Sequence, residues 1–286
     1  MVTLAVFHST VRKEEKLIVE AARKRNIRLK LIDIRTQVFA RETFEADFDV
    51  ALERSVSTIK GTYTAAFLES IGVPVVNPLK ITQICENKYF TSLILAKAGI
   101  PCPKFAMVFD VEQAMLVVEE LGDFPVVLKP AHGSWGRLLA KINDRDSLEA
   151  VLDHKNVLGT APHKAYYIQE FIHKPGYDVR AIVIDGETIC AVYRESSHWI
   201  TNTARGATTR NYPVTKELAN VCSRASDTIG GGLLAIDLFE IDDSYLINEV
   251  NHTMEFRNSE EPTGVSISDA ILDYCLKKVD AGSRNL

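Results

Sequence analysis

Residues 233–258, LLAIDLFEIDDSYLINEVNHTMEFRN, contain two apolar strand-like segments that are joined by an acidic turn and carry polar side chains in their middles. An acid in a half-buried strand costs free energy unless a cation pairs with it. A three-residue turn over 242–244 would set Asp237 opposite Glu249, at a cross-strand distance of roughly 5 Å. Asn251 lies two residues beyond Glu249 on the same side, and such a cluster of oxygen ligands is typical of Mg²⁺ or Mn²⁺ sites rather than zinc sites. A solvent-exposed acidic sheet face is the alternative, but it would not explain why the acids interrupt apolar strands.

The composition is ordinary for a globular chain of one to three domains. The 286 residues are 46% hydrophobic and 25% charged, which is enough to bury a sizeable core. The net charge of −5 argues against a nucleic-acid binder, and we expect neither a signal peptide nor a membrane span. The cysteines are odd in number, scattered and without a C-x-x-C motif, so we expect reduced, buried thiols and a cytoplasmic location; they are Cys85, Cys102, Cys190, Cys222 and Cys275.

The first eighty residues alternate strand and helix patterns. The apolar segments TLAVFH, LKLIDI, DVALER and VPVVN alternate with the helical segments RKEEKLIVEAARKRN and TYTAAFLESIG. This order predicts a doubly wound, Rossmann-like α/β domain over residues 1–86. Because the domain lacks G-x-G-x-x-G, we do not expect it to bind a nucleotide in the dinucleotide manner.

The rest of the chain is predicted to form two α+β domains. Residues 81–100, ITQICENKYFTSLILAKAGI, are bracketed by prolines and predict one helix. We expect a small domain with a Gly-containing loop over 87–170 and a C-terminal domain over 171–286. In the C-terminal domain, DVRAIVIDGETICAVYR predicts a β-hairpin that turns at Asp185 and Gly186.

A Gly-containing loop in FPVVLKPAHGSWGRLLAKI follows a buried strand that ends in Lys129. Glycines such as Gly133 and Gly136 let backbone N–H groups close on phosphate oxygens, and a lysine adds a point charge. Because the loop lacks G-x-x-x-x-G-K-[ST], it is not a P-loop. A hairpin turn without a ligand is the alternative, and Lys88 could likewise be a solvated helix lysine.

Two further polar segments could bind small molecules. YYIQEFIHKPGYDVR offers side chains for a purine and a ribose, although edge-strand polarity explains them about as well; they are Gln169, Glu170, Asp178 and Arg180. YRESSHWITNTARGATTR could hold small carboxylates through arginine and backbone amides, with a mobile surface loop as the alternative; its candidates are Arg194, Asn202, Thr203, Ala204 and Arg205. His198 and His252 have no partner at helical i, i+4 spacing, so we interpret them as structural or loop residues.

These segments, in this order, resemble an ATP-grasp ligase along nearly the whole chain. The blocks LKPAHGSWGRLLAK, IQEFIHKPGYDVR, HWITNTARGA and NEVNHTMEFRNS carry the resemblance. It is strongest to the lysine-biosynthesis ligases of the LysX type, within the group that contains the RimK-type protein glutamate ligases. The fold that it implies is an ATP-grasp fold, α/β and α+β, behind an N-terminal Rossmann-like pre-ATP-grasp domain.

The resemblance implies a carboxylate–amine ligation. ATP would lie between the two β-domains with Mg²⁺ on its phosphates, two ions being expected and Mn²⁺ a possible substitute. A carboxylate would attack the γ-phosphate to give an acyl phosphate, and an amine would then displace phosphate. In this family the carboxylate is that of the C-terminal glutamate of a small acidic amino-group carrier protein (LysW-type). The amine is that of L-2-aminoadipate or of L-glutamate, and family members form dimers or tetramers.

The resemblance also transfers roles to residues. Lys88 and Lys129 would contact ATP phosphates under a closing loop of Gly133, Ser134, Trp135, Gly136, Arg137, Leu138 and Leu139. Gln169, Glu170, Asp178 and Arg180 would line the adenine and ribose side. The catalytic pair Arg194 and Asn202 would sit at the reacting phosphate. Asp237, Glu249 and Asn251 would hold the magnesium ions, where positioning and electrostatics suffice for phosphoryl transfer.

The acceptor set implied by the resemblance is Thr203, Ala204, Arg205, His252, Thr253, Glu255, Phe256, Arg257, Asn258 and Ser259. The small pair Asn258 and Ser259 leaves room for the extra methylene of aminoadipate, whereas the glutamate enzymes have Gly-Phe there. One methylene is worth only about 1–3 kcal/mol, so an enzyme that serves both amino acids is plausible.

The competing hypotheses are a glutamate ligase on the same carrier, a RimK-type protein ligase, an ATP-dependent kinase and a nucleotide-binding regulator. Because the carrier is acidic, we also expect a local basic patch where it docks.

Overall fold

The computed structural model describes residues 2–133, 137–242 and 244–282. The N-terminal part is a parallel four-stranded sheet in the order β2-β1-β3-β4. Its elements are β1 (Thr3–His8), α1 (Lys13–Lys24), β2 (Arg28–Asp33), β3 (Val50–Glu53), α2 (Thr58–Ser70) and β4 (Val75–Val76). Leu4 and Val6 face α1, whereas Ala5 and Phe7 face α2. This alternation, which follows from the period of two in a strand, confirms the doubly wound α/β prediction.

The second part is an antiparallel four-stranded sheet in the order β5-β8-β6-β7, which packs against two helices. Its elements are β5 (Phe105–Val108), α5 (Val111–Glu120), β6 (Val126–Lys129), β7 (Ala140–Ile142), α6 (Arg145–Leu158) and β8 (Tyr166–Glu170). Two helices precede it, α3 (Leu79–Cys85) and α4 (Lys88–Lys97). The prediction of one helix over 81–100 is therefore wrong, because Asn87 leaves the helical conformation and caps α4.

The third part is an antiparallel five-stranded sheet in the order β11-β10-β9-β12-β13. Its elements are β9 (Tyr177–Ile184), β10 (Glu187–Glu195), β11 (Thr208–Tyr212), α7 (Lys216–Ile229), β12 (Leu233–Ile241), β13 (Ser244–Asn251), α8 (Glu260–Thr263) and α9 (Ile267–Gly282). The hairpin β9–β10 turns at Asp185 and Gly186 as predicted. Helix α7 covers one face of the sheet together with α3 and α4, and α9 covers the other face.

The β12–β13 hairpin has the predicted pairing of Asp237 with Glu249, but its turn differs from the predicted one. Ile241 pairs with Ser244 and not, as the three-residue turn requires, with Tyr245, because Asp242 adopts a left-handed backbone (φ 45°) that suits a tighter connection. A bulge at Asn248 then shifts the register by one residue, so Asp237 does lie opposite Glu249.

The first and third parts share a hydrophobic core. Helix α9 packs against α1 and β3, and one cluster of buried side chains joins the parallel sheet to the five-stranded sheet. Asn77 connects the two parts through its amide, which donates to the backbone oxygens of Leu233 (2.7 Å) and His252 (2.6 Å). The domain boundaries at 86/87 and 170/171 stay a prediction.

Two expectations from the sequence concern the burial of the cysteine thiols and the presence of membrane-spanning helices. Each cysteine is free, but Cys102 is half-buried rather than buried. In the described residues, no helix combines the length and the apolar character that a membrane crossing requires.

Candidate active site

The start of α4 brings Lys88 to the cleft between the two antiparallel sheets. Asn87 caps the helix by accepting hydrogen bonds from the backbone N–H groups of Tyr89 (3.0 Å) and Phe90 (3.1 Å). The Lys88 N–H donates to the Ala131 oxygen (2.9 Å), and its ammonium donates to the Gly133 oxygen. The same ammonium lies 3.0 Å from a Glu249 carboxylate oxygen. Lys88 therefore joins the Gly-containing loop to the β12–β13 hairpin and is not a solvated helix lysine.

Lys129, the last residue of β6, has a buried ammonium. Its Nζ donates to Oε1 of Gln169 (2.5 Å) and to Oδ1 of Asn248 (2.7 Å). Burial lowers the pKa of Lys129 to about 7, and nearby Glu249 opposes that shift. Only amide oxygens accept its hydrogen bonds in the described structure, so an anionic ligand in the cleft would stabilise the charged form.

Four charged side chains form a ladder across β10, β9 and β12. Arg194 donates to both Asp178 oxygens (2.6 and 2.8 Å), and its Nη2 lies 3.0 Å from Oδ2 of Asp237. Arg180 donates to both Asp237 oxygens (2.8 and 2.9 Å). The strand register explains the ladder, because Arg194 pairs with Asp178 and Asp237 pairs with Arg180 on neighbouring strands.

The ladder sets the charge state of Asp237 and Arg194. Burial alone would raise the pKa of Asp237, but the two guanidinium groups outweigh burial and hold this pKa below its ordinary value. Burial likewise opposes the charge on Arg194, whereas Asp178 and Asp237 raise the pKa of Arg194. The cations that meet the buried acid in this structure are therefore Arg180 and Arg194.

Two residues that the sequence did not single out complete the ladder. Thr201 donates its hydroxyl hydrogen to Oδ2 of Asp178 (2.5 Å) and accepts a hydrogen bond from Lys174 (2.7 Å). Lys174 lies 3.8 Å from the same Asp178 oxygen. Lys174 precedes Pro175 and Gly176 in a loop, so no periodic strand or helix pattern marks it.

A first cavity lies between the two antiparallel sheets and spans about 820 Å³, which includes space open to solvent. Most of the predicted nucleotide residues line it: Lys88, Lys129, Gly133, Arg137, Leu139, Gln169, Glu170, Asp178, Arg194 and Asn202. Sequence reasoning missed its apolar wall, which consists of Val127, Phe171, Ile172, Trp199, Ile200 and Phe239. Leu138 is exposed, and Ser134, Trp135 and Gly136 lie outside the described residues. The side chain of Glu170 accepts a hydrogen bond from the Lys104 N–H (2.6 Å).

A second cavity of about 820 Å³, also open to solvent, continues from the first, with which it shares Lys88, Gly133, Asn202, Asp237 and Glu249. It contains the predicted residues Arg180, Asn251, His252, Thr253 and Glu255. Burial lowers the pKa of His252 to about 4, so its imidazole is neutral at pH 7. The N-terminal domain contributes Arg12, Ser55 and Thr58, which sequence reasoning missed because only the tertiary fold brings them there.

A third, smaller cavity adjoins both others and spans about 250 Å³, which includes space open to solvent. It brings together the predicted residues Arg180, Arg194, Thr203, Glu255, Arg257, Asn258 and Ser259. Phe256, in contrast, is fully buried in the core beside Arg54, so its side chain packs rather than lining a cavity. Arg205 lies in the 3₁₀ turn Thr203–Arg205 with an exposed side chain, and Ala204 belongs to the same turn.

The carboxylate and amide oxygens of the second cavity suit a hard cation that takes some of its ligands from a substrate or from water. Glu249 and Asn251 lie on the face of β13 that Asp237 also meets, but both Asp237 oxygens already accept from arginines. Within the described ranges, no three His, Cys, Asp or Glu side chains are grouped closely enough to bind a metal by themselves. Mg²⁺ commonly takes one or two carboxylates and completes its shell with phosphate oxygens and water, so this donor set suits it.

Comparisons with known proteins agree with this architecture. The family model of the RimK-like ATP-grasp domain matches residues 85–275, and that of the LysX preATP-grasp domain matches residues 4–84. The chain is 37% identical to the alpha-aminoadipate–LysW ligase LysX of Saccharolobus solfataricus over 92% of this chain and 96% of the relative. It is 31% identical to the glutamate–LysW ligase ArgX of Sulfurisphaera tokodaii over 92% of this chain and 94% of the relative.

Solved structures show the same fold. The RimK domain ATP-grasp protein of Sphaerobacter thermophilus DSM 20745 superposes with a TM-score of 0.82 at 26% identity, over 96% of this chain and all of that one. The D-alanine–D-alanine ligase of Bacillus anthracis superposes with a TM-score of 0.75 at 17% identity, over the whole of both chains, a likeness of fold alone.

Fold and site together define an ATP-grasp enzyme of the ADP-forming carboxylate–amine ligase class. The chain belongs to the RimK-like ATP-grasp family and carries a LysX-type pre-ATP-grasp domain at its N-terminal side. Both the predicted family and the predicted fold class are thereby confirmed. ATP-grasp enzymes use ATP and Mg²⁺, which agrees with the cofactor prediction at that level.

Proposed function

We propose that this protein joins the amino group of L-2-aminoadipate to the C-terminal glutamate side-chain carboxylate of a small acidic LysW-type carrier, with ATP converted to ADP, in lysine biosynthesis. The observation that carries the proposal is the continuity of the three cavities, which lead from the two lysines past Arg194 to Asn258 and Ser259. Relatives named alpha-aminoadipate–LysW ligase, at 37% and 34% identity over most of the chain, support it.

The first cavity would bind ATP. Lys88, which contacts Gly133, and Lys129 supply positive charge for the phosphates, and the apolar wall with Phe171 and Trp199 offers surface for a purine. Glu249 and Asn251, with Asp237 beside them, would hold Mg²⁺, two ions being our expectation and Mn²⁺ a substitute. When bound, the metal neutralises the negative charge of the phosphates.

Arg194 and Asn202 suit the point where the cavities meet. Arg194 lines the first and third cavities, and Asn202 lines the first and second. Because Asp178 and Asp237 fix the guanidinium from two sides, Arg194 needs little reorganisation to stabilise charge on a transferring phosphoryl group. Its role would be to orient the phosphoryl group and the carrier carboxylate, with the amine arriving from the third cavity.

The third cavity would select the acceptor amino acid. Arg257 offers a cation for a carboxylate, while Asn258 and Ser259 keep the wall small enough for an aminoadipate side chain. L-glutamate is the second candidate, favoured by the ArgX relative at 31% identity. Since one methylene discriminates by only about 1–3 kcal/mol, we expect activity with both acceptors and a preference for aminoadipate.

The test is intact mass spectrometry of the carrier after incubation with enzyme, ATP, Mg²⁺ and either amino acid. A mass gain with aminoadipate above that with glutamate supports the proposal, whereas a gain with glutamate alone favours the arginine-pathway reaction. ATP consumption without any gain on the carrier would contradict carrier ligation and favour a RimK-type ligase on another protein, or a kinase. Nucleotide binding without turnover would favour a regulator.

Three further properties belong to the same proposal. A basic surface near the cavities would dock the acidic carrier. A homodimer or tetramer in solution is expected, and light scattering tests it. The free thiols and the biosynthetic relatives support a location in the cytoplasm.

A further inference from the structure

We infer that two consecutive buried glutamates on α1, Glu14 and Glu15, fix the segment 254–257, which leads directly to Asn258 and Ser259 in the third cavity, and so set the choice between acceptor amino acids. Both side chains are fully buried although they belong to the N-terminal domain, and the segment belongs to the C-terminal one. The inference rests on the proposed function, because it concerns the acceptor of that reaction.

Glu15 acts through Arg54. The Arg54 Nε donates to Oε1 of Glu15 (3.0 Å), and its Nη1 donates to the backbone oxygen of Met254 (2.9 Å). Arg12 donates to both Glu15 oxygens, and its Nη1 lies 3.6 Å from Oε1 of Glu255. One carboxylate thus organises two arginines that reach successive residues of the segment.

Glu14 reaches the segment directly. Its Oε1 accepts a hydrogen bond from the backbone N–H of Arg257 (3.3 Å) and lies 3.9 Å from the Arg257 Nε. The other oxygen, Oε2, has no hydrogen-bond partner in the part of the chain that the structure describes. Glu14 therefore contacts the main chain one residue before Asn258, and its carboxylate lies at ion-pair distance from the guanidinium that lines the third cavity.

The segment needs such contacts because it lies between β13 and α8, outside the strand pairing of the sheet. Burying charged groups costs several kcal/mol per ion, and apolar packing would hold a loop with less loss of solvation. Two of the charged contacts are instead directional, because each one binds a particular backbone atom of the segment, the Met254 oxygen and the Arg257 N–H. A cavity that must distinguish side chains by one methylene depends on such a fixed wall.

The experiment compares Glu14→Gln with Glu20→Gln, a control on the same helix at an exposed ion pair with Lys24. Carrier, ATP, Mg²⁺ and hydroxylamine measure acyl-phosphate formation without the acceptor pocket, because hydroxylamine is a small uncharged nucleophile. Aminoadipate and glutamate titrations then measure kcat and KM for each acceptor. For Glu14→Gln we expect a hydroxamate rate within about twofold of wild type, a KM for aminoadipate raised about tenfold, and a reduced preference over glutamate.

Glu14→Asp distinguishes a positioning role from a loss of folding, because it keeps the carboxylate but withdraws it by one methylene. We expect a KM for aminoadipate between those of wild type and Glu14→Gln, with wild-type thermal stability. An unchanged acceptor preference in both Glu14 variants would overturn the inference, as would equal losses in the hydroxamate and amino-acid assays. Absence of any carrier hydroxamate with the wild-type enzyme would instead overturn the proposed function, so the two failures are distinguishable.

Discussion

Lys129 is the residue whose charge most depends on what the cleft holds. Because burial lowers its pKa to about 7, the side chain of Lys129 is mostly the neutral amine at pH 8. A bound triphosphate would favour the charged form, so nucleotide binding at pH 8 should take up about one proton. Calorimetry in buffers of different ionisation enthalpy measures that number, and the nucleotide affinity should fall as the pH rises above 7.

The matched variant for this prediction is Lys129→Arg, because arginine stays charged at every pH of interest. It should bind nucleotide without proton uptake and with a flatter pH dependence. Equal proton uptake by the two proteins would assign the proton to another group and contradict the prediction.

Asp178 illustrates how burial changes the weight of one ion pair. Asp178→Asn removes a buried carboxylate that Arg194, Thr201 and Lys174 all contact. Breaking a buried pair from one side costs about 3–5 kcal/mol, and here the change leaves Arg180, Arg194 and Lys174 with Asp237 as the remaining acid of the ladder. Denaturant unfolding should report a loss of this size, and ligase activity should fall with it.

The strand β10 offers the control for that prediction. Glu195 there accepts two hydrogen bonds from Arg210 (2.9 and 3.0 Å), the same bidentate geometry as in the buried pair, but both side chains are exposed. Glu195→Gln should cost far less than Asp178→Asn, because solvent screens an exposed ion pair. Similar losses in the two variants would mean that burial does not decide the strength of the pairs.

At the scale of the element, the break between α3 and α4 places a binding residue. Asn87→Ala should cost about 1–2 kcal/mol through loss of the cap, and it should also raise the KM for ATP because Lys88 follows directly. Asp110→Ala removes the cap of α5, where the side chain accepts from the Glu112 N–H (2.8 Å), away from the cavities. It should lower stability comparably and leave the KM unchanged. A raised KM in both variants, measured by steady-state kinetics, would contradict a local role for Asn87.

The sequence predicted most strands and helices because their periodicity is local, but it missed features that depend on pairing between elements. The helix break was missed because the apolar pattern runs through residue 87. The pairing of Asp237 with Glu249 was predicted correctly, but from a three-residue turn that the hairpin does not have. The actual register depends on a bulge at Asn248, which no local signal marks. The ladder of Asp178, Arg194, Asp237 and Arg180 depends on the order of the three strands β10, β9 and β12. That order is a property of the fold rather than of any one segment.

At the scale of the whole molecule, the N-terminal domain forms part of the site instead of merely preceding it. Sequence reasoning assigned it no site residue, since its strands and helices have the patterns of an ordinary α/β domain. The structure brings Arg12, Ser55 and Thr58 to the second cavity. It also brings the buried Glu14 and Glu15 against the segment 254–257. Such residues are found only once the shared core fixes the first sheet against the third.

That shared arrangement predicts a specific acid sensitivity of the whole molecule. Burial opposes the charge of Glu15, but Arg12 and Arg54 outweigh it and lower its pKa from 4.5 to about 2. A carboxylate whose pKa is lower in the folded state stabilises the protein fully above its unfolded pKa and loses that contribution as the pH falls from 4.5 towards 2.

A shift of this size in the pKa of Glu15 corresponds to about 3 kcal/mol in the free energy of unfolding. Because the folded pKa lies below pH 3, about 2 kcal/mol of that contribution is lost between pH 6 and pH 3. Guanidinium unfolding at these two pH values measures this loss, which should shrink by about that amount in Glu15→Gln and persist in Glu20→Gln. A wild-type loss in Glu15→Gln would mean that other carboxylates, and not the contact between α1 and residues 254–257, govern acid unfolding.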